Sequence, residues 1–126
     1  MDVISVFIQN RPGRLSQILK EVASLKLYGF SIADAGEFGI VRLCLEEPQL
    51  AVKKLRKHDL IAHVTPAIAI RDSKLMETIN IFDEKNINID EAIYAVNLEG
   101  MSLVVLKVSD TPKAKSMLEE NGIDTF

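Results

Sequence analysis

The stretch that decides the fold is Ile4-Ser5-Val6-Phe7-Ile8-Gln9-Asn10-Arg11-Pro12-Gly13-Arg14-Leu15. Its first half is apolar and rich in β-branched residues, which suits a largely buried strand over residues 3–9. Pro12 and Gly13 punctuate the chain and end that strand. From Arg14 the apolar residues Leu15, Ile18, Leu19, Val22 and Leu25 recur at the spacing of one helix face, and predict a helix over residues 14–27. A buried strand thus runs through a short loop into an amphipathic helix.

The rest of the first half continues the pattern. Residues 27–35 carry mixed signals, with Phe30 and Ile32 in alternation, and Gly36-Glu37-Phe38-Gly39 reads as a turn. Residues 40–45 are a second strong strand. Glu46, Glu47 and Pro48 open a helix that runs to His58, with Leu50, Ala51, Val52 and Leu55 on its apolar side. Residues 60–70 are extended, and Pro66, which cannot donate to a sheet ladder, divides them into two short strands.

The order strand, helix, strand, strand, helix, strand then repeats. Residues 67–71 form a short strand, and Asp72-Ser73 is a favourable N-cap pair. Leu75, Met76, Ile79 and Phe82 make a helix stripe. Residues 87–96 are extended, with Ile87 and Ile89, then Ala92, Tyr94 and Val96, in alternation. Residues 102–108 are a strand, Asp110-Thr111-Pro112 opens the last helix, and Gly122 closes it. Residues 123–126 offer at most the stub of a final strand. Leu43 and Leu106, Ala51 and Ala114, Leu55 and Leu118, and Ile40 and Leu103 match at an offset of 63, whereas Leu15 and Leu75, Leu19 and Ile79, and Leu27 and Ile87 match at 60. The expected fold is α+β: two ferredoxin-like βαββαβ repeats, residues 1–65 and 66–126, each an antiparallel sheet with its helices on one face. A unit of about 60 residues buries a modest core and is marginal alone.

Composition narrows the function classes. The chain has 126 residues, 48% hydrophobic and 26% charged, the make-up of a globular protein. Fifteen Lys plus Arg against eighteen Asp plus Glu give a net charge of −3, which argues against a nucleic acid as partner. One cysteine, Cys44, excludes an internal disulfide and a cysteine-based zinc site, and the two histidines, His58 and His63, are not spaced as a ligand pair on one helix face. No apolar run approaches the ~18 residues of a membrane span, and the acidic start Met1-Asp2-Val3 does not read as a signal peptide. The expectation is a cytoplasmic protein that needs no cofactor and no metal.

The strand-loop-helix passage resembles the opening of ACT domains, small βαββαβ regulatory modules whose first loop often reads Asn-x-Pro-Gly-x-Leu. Asn10, Pro12, Gly13 and Leu15 match it at the expected junction. Phe38-Gly39-Ile40-Val41-Arg42 is also similar to the third strand of small tandem ACT proteins. The second repeat departs from the motif, because Arg71-Asp72-Ser73-Lys74-Leu75 has no Pro-Gly. The resemblance implies binding of a small effector, most often an amino acid, at an interface between paired ACT domains, and it implies no chemistry. The passage also resembles the start of acetolactate synthase small subunits, although their C-terminal region is a different domain.

The candidate ligand residues are Asn10, Arg11, Pro12, Gly13, Arg14 and Leu15. A helix start offers free N–H groups and a positive dipole end, which suit a carboxylate. Asn10 caps the helix or grips a ligand, Gly13 permits close approach, and Arg11 and Arg14 can pair with a carboxylate. The same residues also make an ordinary capped turn with two solvated arginines. Asp72, Ser73 and Lys74 are the corresponding second site. Asp34, Glu37 and Arg42, with Asp90 and Glu91 in the second repeat, could meet an amino group or line a solvated sheet edge. His58 suits the C-terminal end of its helix. Lys53, Lys54, Arg56 and Lys57 read as a solvated basic helix face without the interleaved aromatics of a nucleic-acid site. No acid, base or nucleophile constellation stands out. The leading expectation is a non-enzymatic, amino-acid-binding regulatory protein acting as a homodimer. The alternatives are a regulatory subunit of a biosynthetic enzyme and a ligand-free dimerisation module.

Overall fold

A computed structural model describes residues 1–126. The chain divides into two compact units, one of Asp2–Thr65 and one of Pro66–Phe126 together with Met1. In the first unit the elements run β1 (Asp2–Gln9), α1 (Arg14–Glu21), β2 (Leu27–Ala35), β3 (Phe38–Leu45), α2 (Pro48–Arg56) and β4 (Ile61–Pro66). In the second they run β5 (Ile68–Arg71), a short 3-10 helix (Asp72–Lys74), α3 (Leu75–Glu84), β6 (Ile89–Leu98), β7 (Met101–Val108) and α4 (Thr111–Glu120). The first unit is βαββαβ in order and the second repeats it up to α4 without the last strand, with antiparallel sheets β2-β3-β1-β4 and β5-β7-β6.

The pleat explains which residues face the helices. In β1, Ile4, Val6 and Ile8 alternate inward and join Val41, Leu43 and Leu45 of β3 in one core with Ile18, Val22, Ala51, Val52 and Leu55. In the second unit Ile68, Ile70, Val104, Leu106 and Val108 pack with Phe82, Ala114 and Leu118. Both cores therefore lie between a sheet and its two helices.

Three expectations need correction. Helix α1 stops at Glu21, not near residue 27. Residues 22–25 leave it in successive turns, with the Leu25 N–H donating to Val22 O at 2.9 Å, which keeps both apolar side chains in the core before β2 begins. Second, the alternation of Ala92, Tyr94 and Val96 fails, because β6 carries a bulge. Its register against β7 skips from Ile93↔Val105 to Val96↔Leu103, and Ala95 sits at φ +62. Ile93 and Val96 are buried, while Tyr94 is 65% exposed. Third, register pairs Leu27 with Leu45 and Ile89 with Val108, so Leu27 corresponds to Ile89 and not to Ile87. Residues 123–126 form no strand, yet the Phe126 N–H donates to Ala69 O at 3.0 Å, the trace of a fourth strand beside β5.

Candidate functional site

The junction of β1 with α1 is fixed from below by its backbone. The Asn10 N–H donates to Glu37 O and the Arg11 N–H to Gln9 O, both at 2.9 Å. Gly13 stands at φ +90 as the N-cap residue of α1, a conformation that favours glycine. A Cβ built there meets nothing within 4 Å, so the glycine serves the turn and not a tight contact within the chain.

Asn10 does not cap the helix. Its Nδ2 donates to Asp34 Oδ1 at 2.9 Å and to Gly36 O at 3.2 Å, while Asp34 Oδ1 also accepts from the Gly36 N–H at 3.0 Å. The reason is geometric: the left-handed Gly13 takes the cap position, and Asn10 lies over the β2–β3 turn. Asp34 is thereby a partner of the first loop. Arg11 and Pro12 are exposed, and Leu15 packs against the core.

Arg14 turns back along the flank of the junction. Its Nη1 donates to Gln17 Oε1 at 3.0 Å and its Nη2 to Gln9 Oε1 at 3.1 Å. Both acceptors are neutral amides, so the guanidinium charge is held without a carboxylate. It lines a cavity of about 360 Å³ whose apolar side is Phe7, Ile8, Phe38, Leu60 and Ile61. Gln9, Gln17, His58 and Asp59 complete the lining. Of the residues singled out in the first loop, Arg14 alone reaches this cavity.

Part of the lining comes from the end of α2. The Leu60 N–H donates to Leu55 O at 3.3 Å and the Asp59 N–H to Arg56 O at 3.2 Å, with Asp59 at φ +60. This is a Schellman ending with an aspartate in the left-handed position. In the second unit the Ile123 N–H donates to Leu118 O at 2.9 Å and the Gly122 N–H to Glu119 O at 3.1 Å, with Gly122 at φ +72. Asp59 and Gly122 are thus equivalent positions. His58 does not serve the end of its own helix; its Nε2 meets Glu21 Oε2 of α1 at 2.9 Å.

The basic stretch on α2 is not wholly a solvated face. Arg56 Nε and Nη2 both donate to Ala62 O, at 3.1 and 2.9 Å, bracing the start of β4. Cys44 is buried, and burial pushes its thiol up to about 11. Such a thiol carries almost no thiolate near neutral pH and is a poor nucleophile. His63 packs edge-on to Phe7, with ring centroids 6.2 Å apart. No group of three His, Cys, Asp or Glu is placed to hold a metal ion, and no helix is long and apolar enough to cross a membrane.

The second junction differs in length. Arg71 pairs with Leu103 as Phe7 pairs with Ile40, so β5 ends where β1 continues to Gln9. Leu75 and Leu15 pack against their respective cores in the same helical place. Three residues, 72–74, therefore span what seven residues, 8–14, span in the first unit. Asp72 and Ser73 make no side-chain cap; the helix begins as a 3-10 turn instead. Lys74 Nζ meets Glu77 Oε2 at 3.4 Å, and Asp90 Oδ1 accepts from Asn88 Nδ2 at 2.7 Å.

Sequence reasoning missed Gln9, Gln17, Asp59, Leu60 and Ile61. The three-residue spacing of Arg14 and Gln17 on one helix was a readable signal. The approach of Asp59 and Ile61 to that helix depends on how α2 returns to β4, and no local pattern encodes it.

The family model for the ACT domain pair matches residues 1–126. No curated protein matches the chain. Protein BT0572 from Bacteroides thetaiotaomicron superposes with a TM-score of 0.88 at 23% identity, over 99% of this chain and 90% of its own. The ligand-free regulatory subunit of aspartate kinase from Thermus thermophilus gives a TM-score of 0.64 at 12% identity, over 94% of this chain and 88% of its own. The same subunit from Thermus flavus gives 0.61 at 12% identity, with coverage of 94% and 88%. At these identities the likeness is one of fold. With a family model spanning the whole chain and two units built on the βαββαβ order, the second short of its last strand, the chain belongs to the ACT domain pair family.

Proposed function

We propose that this chain is a non-enzymatic regulatory protein that binds a small amino-acid effector and works as a homodimer. The observation that carries the reading is the cavity beside the β1–α1 junction, where an arginine without an acidic partner borders an apolar wall. Its volume of about 360 Å³ lies at the small end of ligand sites, which run from roughly 300 to 1,000 Å³. That fits one amino acid better than a nucleotide. The regulatory subunits among the structural neighbours support the regulatory class. An effector that prefers one arrangement of the protein shifts its population, and so regulates without catalytic groups.

The dimer rests on the edge of the first sheet. β2 is a nine-residue edge strand with Phe30 43% and Ile32 52% exposed. Long apolar edges are normally paired or covered.

A thermal-shift screen of the twenty amino acids tests the effector. A ligand at a hundred times its dissociation constant adds about 2.7 kcal/mol of stability. A shift with one or a few is expected, and no shift with any of them refutes the reading. Sedimentation at micromolar concentration tests the dimer, and a monomer with and without amino acids removes it. Co-purification with a large catalytic partner is the outcome that favours an enzyme-subunit role.

A further inference from the structure

We propose that copies of this chain dock on one another through their helices, the lysine face of α2 on one copy against the acidic end of α4 on the other. This contact is separate from the β2 edge and needs no effector.

The two units divide the charge of the chain unequally. Residues 2–65 hold nine Lys and Arg against seven Asp and Glu, whereas residues 66–126 hold six against eleven. The first unit is therefore net positive and the second net negative. The positive excess gathers on one helix. From Pro48 to His58 there is no acidic residue, and Lys53, Lys54, Arg56 and Lys57 all fall there. Leu50, Lys53, Lys54 and Lys57 recur at the spacing of one helix face. Lys53 and Lys57 are exposed, Lys54 is half-buried, and Leu50 is 40% exposed. None of the three lysines has an ion pair within the chain.

The opposite charge stands at the equivalent place of the second unit. The buried Leu55 and Leu118 correspond, as do Asp59 and Gly122 in the two helix endings, so Arg56 corresponds to Glu119 and Lys57 to Glu120. Glu119 and Glu120 are exposed and have no ion pair within the chain. They occupy the last turn of α4, which holds no basic residue. The C-terminal end of a helix carries partial negative charge and favours cations. Helix α2 obeys that rule, and α4 breaks it. Two carboxylates are thus kept where they weaken their own helix, a local conflict that marks a role outside folding.

A second copy is the occupant that fits both faces. Each copy carries both members of the pair, and two copies related by a two-fold axis make the contact twice. Complementary potentials of this kind steer and select a partner. A nucleic acid would fit α2 alone and would leave the carboxylates of α4 unexplained.

The test is sedimentation of the full chain at about 100 μM in about 20 mM and about 500 mM salt, because salt screens contacts between exposed charges. A larger species at low salt is expected, with association at least about tenfold weaker at high salt. The double variants Lys53→Glu with Lys57→Glu, and Glu119→Lys with Glu120→Lys, should each lose the salt-dependent species. An equimolar mixture of the two should regain it, because each reversed face then meets its opposite on the other variant. The urea midpoint of the Glu119→Lys, Glu120→Lys variant should be unchanged or raised, since cations suit that helix end. Wild-type sedimentation that ignores salt overturns the proposal, and a salt-independent dimer does so while leaving the β2 edge standing. Loss in both variants without recovery in the mixture also overturns it. Retention on heparin at about 150 mM salt that the α2 variant abolishes, with wild-type sedimentation alike at both salts, gives the α2 face to a polyanion instead.

Discussion

Replacing Asn10 with alanine should destabilise the first unit through the β2–β3 turn and not through helix α1. Asn10 Nδ2 reaches Asp34 Oδ1 at 2.9 Å and Gly36 O at 3.2 Å, whereas the N-cap of α1 is Gly13 with no side-chain bond. All these groups are exposed, so the net contribution is that of solvated hydrogen bonds, about 1 kcal/mol for Asn10→Ala. Asp34→Ala removes the same bond and also the acceptor of the Gly36 N–H at 3.0 Å, and should cost about 1–2 kcal/mol. Urea titration of both single variants and the double variant closes a cycle. The double variant should fall short of additivity by about 0.5–1 kcal/mol, because the shared bond is lost only once. Additivity within about 0.3 kcal/mol refutes the link between the loop and the turn. A loss for Asn10→Ala that is unchanged in an Asp34→Ala background would restore the capping role that the motif alone suggests.

Three further outcomes follow from single positions. Gly13→Ala should cost about 1–2 kcal/mol in urea titration, because φ +90 disfavours any Cβ although none would clash there; a neutral effect contradicts the backbone assignment. Thr78 is fully buried on α3 and its Oγ1 has no hydrogen-bond partner, so Thr78→Val should stabilise by about 1 kcal/mol in the same assay; a loss of stability would reveal a partner for that hydroxyl. Cys44 should resist alkylation at pH 8 in the native protein and react in urea. Because burial raises its folded pKa to about 11, above the ordinary thiol value of 9.0, the folded state holds its proton longer, so its contribution is complete below pH 9 and is lost as pH rises towards 11. Cys44→Ser or Cys44→Ala should lessen that decline, and an identical alkaline decline in both contradicts it.

The fold was legible because periodicity carried it. Strands 3–9, 40–45 and 102–108 are mostly apolar, and each lies inside its sheet with a strand on either side. The halves matched at the helix positions Ala51 and Ala114, and Leu55 and Leu118, all of which are fully buried. Failures arose where one residue changes the register. A single extra residue at the Tyr94-Ala95 bulge turned a clean alternation into a misreading of which side chains face the core. The site was less legible because its parts come from separate elements. The motif drew attention to Asn10, Pro12 and Gly13, which shape the junction, whereas Arg14, His58 and Asp59 are among the residues that line the cavity.

The two units show which parts of the fold are free to diverge. Most core positions correspond between them, down to the fully buried Ile18 and Thr78, sixty residues apart on α1 and α3. Packing constrains those places, since a change of even one methylene is felt in a close-packed core. Two of the differences lie at the β1–α1 junction and at the end of α2, whose residues share a cavity. The first unit carries four more residues between strand and helix, and an aspartate where the second has the glycine its helix ending favours. Of the longer junction, residues 8–14, only Ile8 joins the core, and Asp59 lies outside it. Gln9 and Arg14 of the longer junction and Asp59 at the end of α2 line one cavity. Gln9, Arg14 and Asp59, all outside the core, border the same 360 Å³ from separate elements. That convergence is what binding requires and what folding alone does not explain.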